Sequence, residues 1–321
     1  MMSETSKEGV PYKGAREILD AYRRWEQTRS VSPELINRRI VAYDNDEAYI
    51  EVRFDTSVTD EAQRSAEVRL GKTFVWNEKE YAIRFTRGSM AKPLAFPGPA
   101  AAAAHCAGVH DGDEAEPDFG VIGTVGWCFV VNGAPVGLSN WHVLCANGSC
   151  VGSDVVLNSS HAATVMHVKA PTAGPNHFDF ALAQLSNPAS ICGIVKGNQF
   201  EVPLLLTPDL HVNTADEFRW VGLHNTATHA LLVGLADVDY RIGQHVFHFI
   251  AQLAFKQGDA QSGDSGSLAV RKSDNSAAGL LFARDDDTVY ANPICTLLDW
   301  QRTGTQKTPG GEFPIFTGSL P

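Results

Sequence analysis

The apolar and polar positions change their rhythm twice along the chain. Over residues 14 to 27, Ile18, Leu19, Tyr22 and Trp25 recur at helical spacing and predict an amphipathic helix that packs on them. Residues 59 to 70 predict a second helix, with Thr59 or Asp60 as its cap. Residues 39 to 41 and 49 to 54 read as strands. Residues 73 to 76 and 81 to 85 read as a hairpin around Asn77-Glu78-Lys79-Glu80. These elements predict a small α+β domain over residues 1–92. Residues 93–117 turn to Pro, Gly and Ala, with acids at Asp111, Asp113, Glu114 and Glu116, and read as a linker. Beyond it come short apolar runs punctuated by Gly, Asn and Asp, the pattern of an all-β barrel domain, over residues 118–303. Within that stretch, residues 294 to 301 predict a closing helix with Leu297, Leu298 and Trp300 inward. Residues 304–321 read as a tail, and no internal repeat is visible.

Length and composition agree with this division. The chain has 321 residues, of which 44% are hydrophobic, enough for two cores. No apolar run is long enough to span a bilayer. The start, Met1-Met2-Ser3-Glu4-Thr5-Ser6-Lys7, lacks the apolar core of a signal peptide. The expected location is therefore cytoplasmic, with the six cysteines reduced. Cys145 and Cys150 bracket a short loop, and free thiols are expected there. Of 26 Lys+Arg and 37 Asp+Glu, residues 1–92 carry 16 of each, leaving 10 basic and 21 acidic groups beyond. An acidic second half excludes a phosphate-backbone partner, which needs cationic surface, so no nucleic-acid binding is expected. It suits a basic substrate segment.

The chemistry concentrates in three places. Gly263-Asp264-Ser265-Gly266-Ser267 places a hydroxyl in a turn that glycines allow to be tight. Such a serine is a nucleophile if a base lies beside it and amides face the oxygen under attack; otherwise it is an ordinary Gly/Ser/Asp loop. Ser139-Asn140-Trp141-His142-Val143-Leu144 puts an imidazole at the end of an apolar, strand-like stretch. Its near-neutral pKa suits proton transfer. Phe178-Asp179-Phe180-Ala181-Leu182-Ala183 sets a carboxylate among apolar neighbours, where its charge needs a partner such as an imidazole N–H. The order His142, Asp179, Ser265 is one of the known triad orders.

These blocks, with Gly123-Thr124-Val125-Gly126 and with Gly279-Leu280-Leu281-Phe282-Ala283 ahead of Ala291-Asn292-Pro293-Ile294, resemble the trypsin/chymotrypsin superfamily. Within it the chain is most similar to the intracellular bacterial and plant narrow-leaf-type trypsin-like proteases. The resemblance spans roughly residues 118 to 300. It implies a mainly β, chymotrypsin-like double β-barrel of two six-stranded barrels behind the small N-terminal α+β domain. It implies Ser265 as nucleophile, His142 as general base and then acid, and Asp179 as the residue that orients His142. The backbone amides of Gly263 and Ser265 would form the oxyanion hole. Phe282, Ala283 and Arg284 would pair with the substrate backbone, and Asp259 would floor the primary pocket and favour Arg or Lys before the cut. Asp285-Asp286-Asp287 would add negative potential at the rim. Arg284 stands where a small residue is usual, and would pair with Asp259 or crowd the pocket. Secreted relatives carry a Cys directly after the histidine and another four residues before the nucleophile; here these are Val143 and Gln261. There is no activation motif, so Asp264 needs a partner other than a freed amino terminus.

Other readings fail on order or number. An α/β-hydrolase needs Ser before His, and no His follows Ser265. Ser89-Met90-Ala91-Lys92-Pro93 echoes the subtilisin serine motif, but every His comes after residue 89. His105-Cys106 with His110, His161 with His167, and His245 with His248 lack further ligands, so no metal and no cofactor are expected. His177 is a weak second candidate for the base. The expected function is an intracellular serine endopeptidase acting on a protein or peptide, with residues 1–92 available to a regulatory partner. The rival is a catalytically silent or latent peptide-binding module on a protease fold.

Overall fold

Helix α1 spans Tyr12–Gln27 and buries Ala15, Ile18, Leu19, Ala21, Tyr22 and Glu26, one face at 3.6-residue spacing. Buried Glu26 on that face is held by Arg39 Nε at 2.7 Å. Helix α2 spans Asp60–Leu70. Thr59 Oγ1 accepts from the Ala62 amide at 3.2 Å, and Gly71 at φ +70° ends the helix. Strands Thr73–Trp76 and Lys79–Gly88 form a hairpin whose loop is shorter than expected. Asn77 and Glu78 alone make the turn, at φ +48° and +62°, the left-handed pair that matches strand twist.

The computed structural model describes residues 10–44, 47–94, 96–98, 106–108, 120–131, 134–145, 151–157, 161–186, 211–212, 216–220, 229–242, 245–256, 260–273 and 276–294. Of the helix expected at 294 to 301 only Ile294 is among the described residues, and the tail beyond it lies outside them.

The chain is mainly β, in a double-barrel-like arrangement, as expected. Among the described residues one sheet runs through eight strands in the order Trp127–Val131, Ala134–Ser139, Phe180–Leu185, His161–Lys169, Asp154–Leu157, Cys106–Gly108, Gly120–Ile122 and Phe96–Gly98. Two of its strands, Phe96–Gly98 and Cys106–Gly108, fall within the stretch read as linker. The first barrel was expected to have six strands; short pairings from that stretch extend its sheet instead.

The second sheet holds a closed ring of six strands: His245–Lys256, Val289–Pro293, Ala277–Arg284, Leu268–Arg271, Glu217–Arg219 and Ala230–Ile242, which pairs back onto His245–Lys256. The same 13-residue strand, Ala230–Ile242, also pairs antiparallel with Ile36–Asp44, from Gly234 opposite Ala42 to Val238 opposite Arg38. Glu47–Asp55, Lys79–Gly88 and Thr73–Trp76 follow in order, with Glu47–Asp55 and Lys79–Gly88 parallel across α2. The N-terminal strands therefore extend the wall of the second barrel. Gly234 is needed at this seam, because a Cβ there would lie 2.1 Å from the Val41 carbonyl oxygen.

A buried charge cluster locks the seam. Arg38 donates to Asp285 Oδ2 at 3.1 Å, Asp287 Oδ1 at 3.2 Å, Thr288 Oγ1 at 2.9 Å and Tyr290 Oη at 3.1 Å, and it pairs closely with Glu51. Arg53 reaches Asp285 at 3.0 Å and Asp287 at 2.7 Å. Asp286 accepts from the Ser89 amide at 2.9 Å. This corrects the expected role of the acidic run. Asp285 and Asp287 are neutralised by arginines from the N-terminal strands and do not charge a pocket rim.

Removing one partner from a buried ion cluster strands the others, which typically costs about 3–5 kcal/mol. Arg38→Met is expected to lower unfolding stability by about that amount in denaturant titration. Burial opposes ionisation of Asp287, but Arg53 and Arg38 outweigh it and hold its carboxyl below the usual carboxylate range. A depressed carboxyl stabilises above its unfolded-state pKa, about 4, and loses that contribution as pH falls through the folded value. The fall in stability below about pH 4 is therefore expected to be shallower in Arg53→Met than in the parent chain.

Candidate active site

His142 sits on the one-turn helix α3, Trp141–Leu144, which begins one residue after the strand Ala134–Ser139. Asp179 directly precedes the strand Phe180–Leu185, which pairs with that same strand, Ser139 opposite Ala181. Adjacent strands of the first sheet thus deliver the imidazole and the carboxylate side by side. Ser265 comes from the second barrel, in the turn ahead of Leu268–Arg271. Thr124 clamps that turn: its amide donates to the Ser265 carbonyl at 2.7 Å and its hydroxyl to the Gly263 carbonyl at 2.8 Å.

The three side chains meet. Ser265 Oγ lies 2.6 Å from His142 Nε2. His142 Nδ1 makes a short contact to Asp179 Oδ2, and the His142 amide donates to Asp179 Oδ1 at 3.2 Å. With the carboxylate accepting at Nδ1, that nitrogen carries the hydrogen and Nε2 is free to accept from the serine. All three residues are essentially buried, at 2%, 0% and 0% exposure for His142, Asp179 and Ser265. Tyr240 stands edge-on to the imidazole, with ring centroids 5.8 Å apart, and packs on Phe249 and Phe282. Burial above all, then the nearby Asp179 carboxylate, raises the Tyr240 hydroxyl well above its ordinary pKa. It stays a neutral wall beside the pair.

Two asparagines from the quoted motifs had been given no role. Asn140 Nδ2 donates to the Asp179 carbonyl at 2.7 Å, and the Asp179 amide donates to Asn292 Oδ1 at 3.0 Å. Both hold the backbone of Asp179, so they are positioning residues. Their signal was a place within the quoted motifs, beside or in a strand, which gives no hint of a partner 39 or 113 residues away. Asp264, whose partner was left open, accepts from the Gln261 amide at 2.8 Å.

The amides of Gly263 and Ser265, expected to form an oxyanion hole, both point at the carbonyl oxygen of Leu94. The Gly263 contact is short and the Ser265 contact is 3.4 Å. Gly263 at φ +104° and Gly266 at φ +91° set this turn. Phe282, Ala283 and Arg284 form a strand that pairs with the chain's own residues: Ala283 with Pro93, Arg284 with Lys92, and the Phe282 carbonyl accepting from the Leu94 amide at 3.2 Å. Leu94 was missed, because no side-chain pattern marks a residue that acts through its carbonyl. Arg284 Nη1 donates to the Ala260 carbonyl at 2.6 Å. Asp259 lies outside the described residues. His177 is half-buried, its pKa lowered chiefly by burial, and is not part of the triad.

Cys145, three residues after His142, is disulfide-bonded, against the expectation of a free thiol. Cys145 is buried at the end of α3. Among the described residues no group of three or more His, Cys, Asp or Glu could hold a metal ion, and no helix is long and apolar enough to cross a membrane.

No family model matches the chain, and no curated protein matches it. Among solved structures, it is similar to an "Alpha-lytic protease homolog N4" at 16% identity and a TM-score of 0.38, over 56% of this chain and 90% of that one. That is a distant likeness of fold and says nothing of activity.

A tight backbone approach in the site is at Gly266, where a Cβ would lie 2.0 Å from the Thr124 oxygen and 2.4 Å from Ser139 Oγ. Gly152 has a similar φ, +90°, with nothing within 4 Å. Gly152→Ala is expected to lose about 1 kcal/mol of stability, through backbone strain alone. Gly266→Ala should lose clearly more in thermal unfolding, and its crystal structure should place Ser265 Oγ beyond hydrogen-bond reach of His142.

Proposed function

We propose that the chain is a serine endopeptidase that cleaves a protein or peptide substrate by acyl transfer. The observation that carries this reading is the 2.6 Å contact of Ser265 Oγ with an imidazole whose other nitrogen is held by a buried carboxylate. Ser265 attacks the scissile carbonyl as its proton passes to His142 Nε2. The developing oxyanion is held by the Gly263 and Ser265 amides, and losing one such donor typically costs about a hundredfold to a thousandfold in rate. His142 then protonates the leaving amine, and water releases the acyl group by the same path. Asp179 keeps the imidazole in the tautomer that accepts at Nε2. The aromatic wall of Tyr240, Phe249 and Phe282 keeps the dielectric low, which strengthens each of these contacts.

The narrower kinship with intracellular bacterial and plant narrow-leaf-type trypsin-like proteases rests on the motifs. So does a preference for Arg or Lys, which depends on Asp259. A cytoplasmic role in bacterial signalling or defence, with residues 1–92 receiving a regulatory partner, is motivated by that extra α+β segment. The disulfide at Cys145 suits an oxidising compartment better. A second reading, a latent or silent peptide-binding module, is favoured by the strand already lying in the cleft.

A fluorophosphonate probe separates the two readings. Under the protease reading Ser265 is labelled, Ser265→Ala is not, and His142→Ala is labelled far more slowly. Asp179→Asn should lower kcat by about ten-thousandfold, with KM little changed, on any peptide the parent chain cuts. Well-folded protein that ignores the probe and cuts no peptide would leave the binding module standing alone.

A further inference from the structure

The chain holds a segment of itself where a substrate belongs. We infer that the bond after Leu94, Leu94–Ala95, is a self-cleavage site of this enzyme, and that Leu94 reports an apolar preference on the acyl side of the cut, in place of the basic preference that the motifs suggest at Asp259. The inference rests on the protease reading.

Four observations converge. The Leu94 carbonyl oxygen accepts from both amides of the nucleophile turn, one of them that of Ser265 itself. A carbonyl oxygen seated on those two amides is one that presents its carbon to a nucleophile on the same turn. The Leu94 amide donates to Phe282, and Pro93 and Lys92 pair antiparallel with Ala283 and Arg284, so the segment is added as a strand. The Leu94 side chain is fully buried, and belongs to the same apolar core as Ala260. The segment is anchored just upstream: the Arg241 amide donates to the Ala91 carbonyl at 3.1 Å, and Ser89 is tied to Asp286.

The local sequence suits that role. Pro93 fixes φ and disfavours helix at Lys92, so Lys92-Pro93-Leu94 is extended before it docks. Because the strand belongs to the same chain, its binding is intramolecular and its effective concentration is high. An aliphatic side chain fully buried in the apolar core also argues against a pocket built for a cation. Arg284, whose guanidinium is already spent on the Ala260 carbonyl, adds a positive charge close by.

The step balances as a hydrolysis. Ser265 Oγ bonds to the Leu94 carbonyl carbon, and its proton goes to His142 Nε2. The C–N bond to Ala95 breaks, and the Ala95 nitrogen takes that proton and leaves as a new amino terminus. One water then displaces Ser265, giving a Leu94 carboxylate and the restored hydroxyl. The two pieces stay joined, because Ile36–Asp44 remains paired with Ala230–Ile242 and Arg38 and Arg53 remain paired with Asp285 and Asp287.

The test is expression of the full chain, followed by denaturing electrophoresis, intact mass and amino-terminal sequencing. Expected are fragments 1–94 and 95–321 that co-elute in native size exclusion, and an uncut Ser265→Ala chain. Leu94→Met should still be cut, and Leu94→Asp should be cut at least tenfold more slowly. If Leu94→Asp fails to fold, peptides tested on the parent chain decide the pocket. One ending its acyl side in Lys-Pro-Leu should exceed its Lys-Pro-Arg counterpart at least tenfold in kcat/KM, and the reverse order overturns the apolar assignment. A cut at residue 94 that persists in Ser265→Ala overturns self-cleavage. So does a parent chain that stays whole. If that whole chain still reacts with the fluorophosphonate probe, the protease reading survives; if it does not react, both fall.

Discussion

The carboxylate of Asp179 is the charge around which the site is organised. It has no exposure to solvent, and an ionised carboxylate out of water is tolerated only with partners on its oxygens. Those partners are the ring and the backbone amide of one residue, His142. A single side chain therefore discharges the burial cost and is, in the same act, fixed in rotation and tautomer. The residue that carries the charge is itself gripped by Asn140 and Asn292, from two different barrels. The geometry at Ser265 is thus set by burial and hydrogen-bond completeness at Asp179, several ångströms away from any reacting atom.

The second constraint is the seam between the N-terminal strands and the ring of six. Arg38 and Arg53 are buried cations, and their carboxylates lie on the loop that follows the strand Ala277–Arg284. That strand carries Phe282, Ala283 and Arg284, the residues that pair with the segment in the cleft. The cluster couples the position of the N-terminal strands to the position of the edge that pairs with Lys92, Pro93 and Leu94. It also explains why Lys92-Pro93-Leu94 reaches the cleft: the strand Lys79–Gly88 ends beside the cluster, and Ser89 is tied to Asp286 within it.

Legibility in the sequence followed the range of the interaction. Both helices, their faces and the Thr59 cap depend on neighbours three or four residues apart, and were readable. So was the hairpin, although the length of its loop was overestimated, because Lys79 and Glu80 are polar yet belong to the strand. His142, Asp179 and Ser265 were readable as chemistry in order, since a serine between glycines, a histidine after a strand and an acid among aromatics are each odd on their own. The function of Asp285 and Asp287 was misjudged, because their partners lie more than 230 residues earlier and an arginine on a strand reads as solvated. Cys145 was misjudged because the expected reducing compartment outweighed the spacing. The eight-stranded sheet was illegible at Phe96–Gly98 and Cys106–Gly108, where Pro, Gly and Ala carry no alternation.

Leu94 marks the limit of such reading. A cleft of this kind recognises backbone before side chain: two amides seek one carbonyl oxygen, and one carbonyl seeks one amide. Any extended residue satisfies these demands, so the sequence has no signature to offer at the position that fills them. Selectivity arises only from what must remain buried and from what the chain can reach. Leu94 meets the first condition with an aliphatic side chain and the second through a short tether anchored at Ala91. The same contacts that would hold a substrate for attack would, after cutting, hold the product's carboxylate against the same two amides. On the proposed function, release of that strand would compete with every incoming peptide, so the N-terminal segment would set the threshold for turnover in trans.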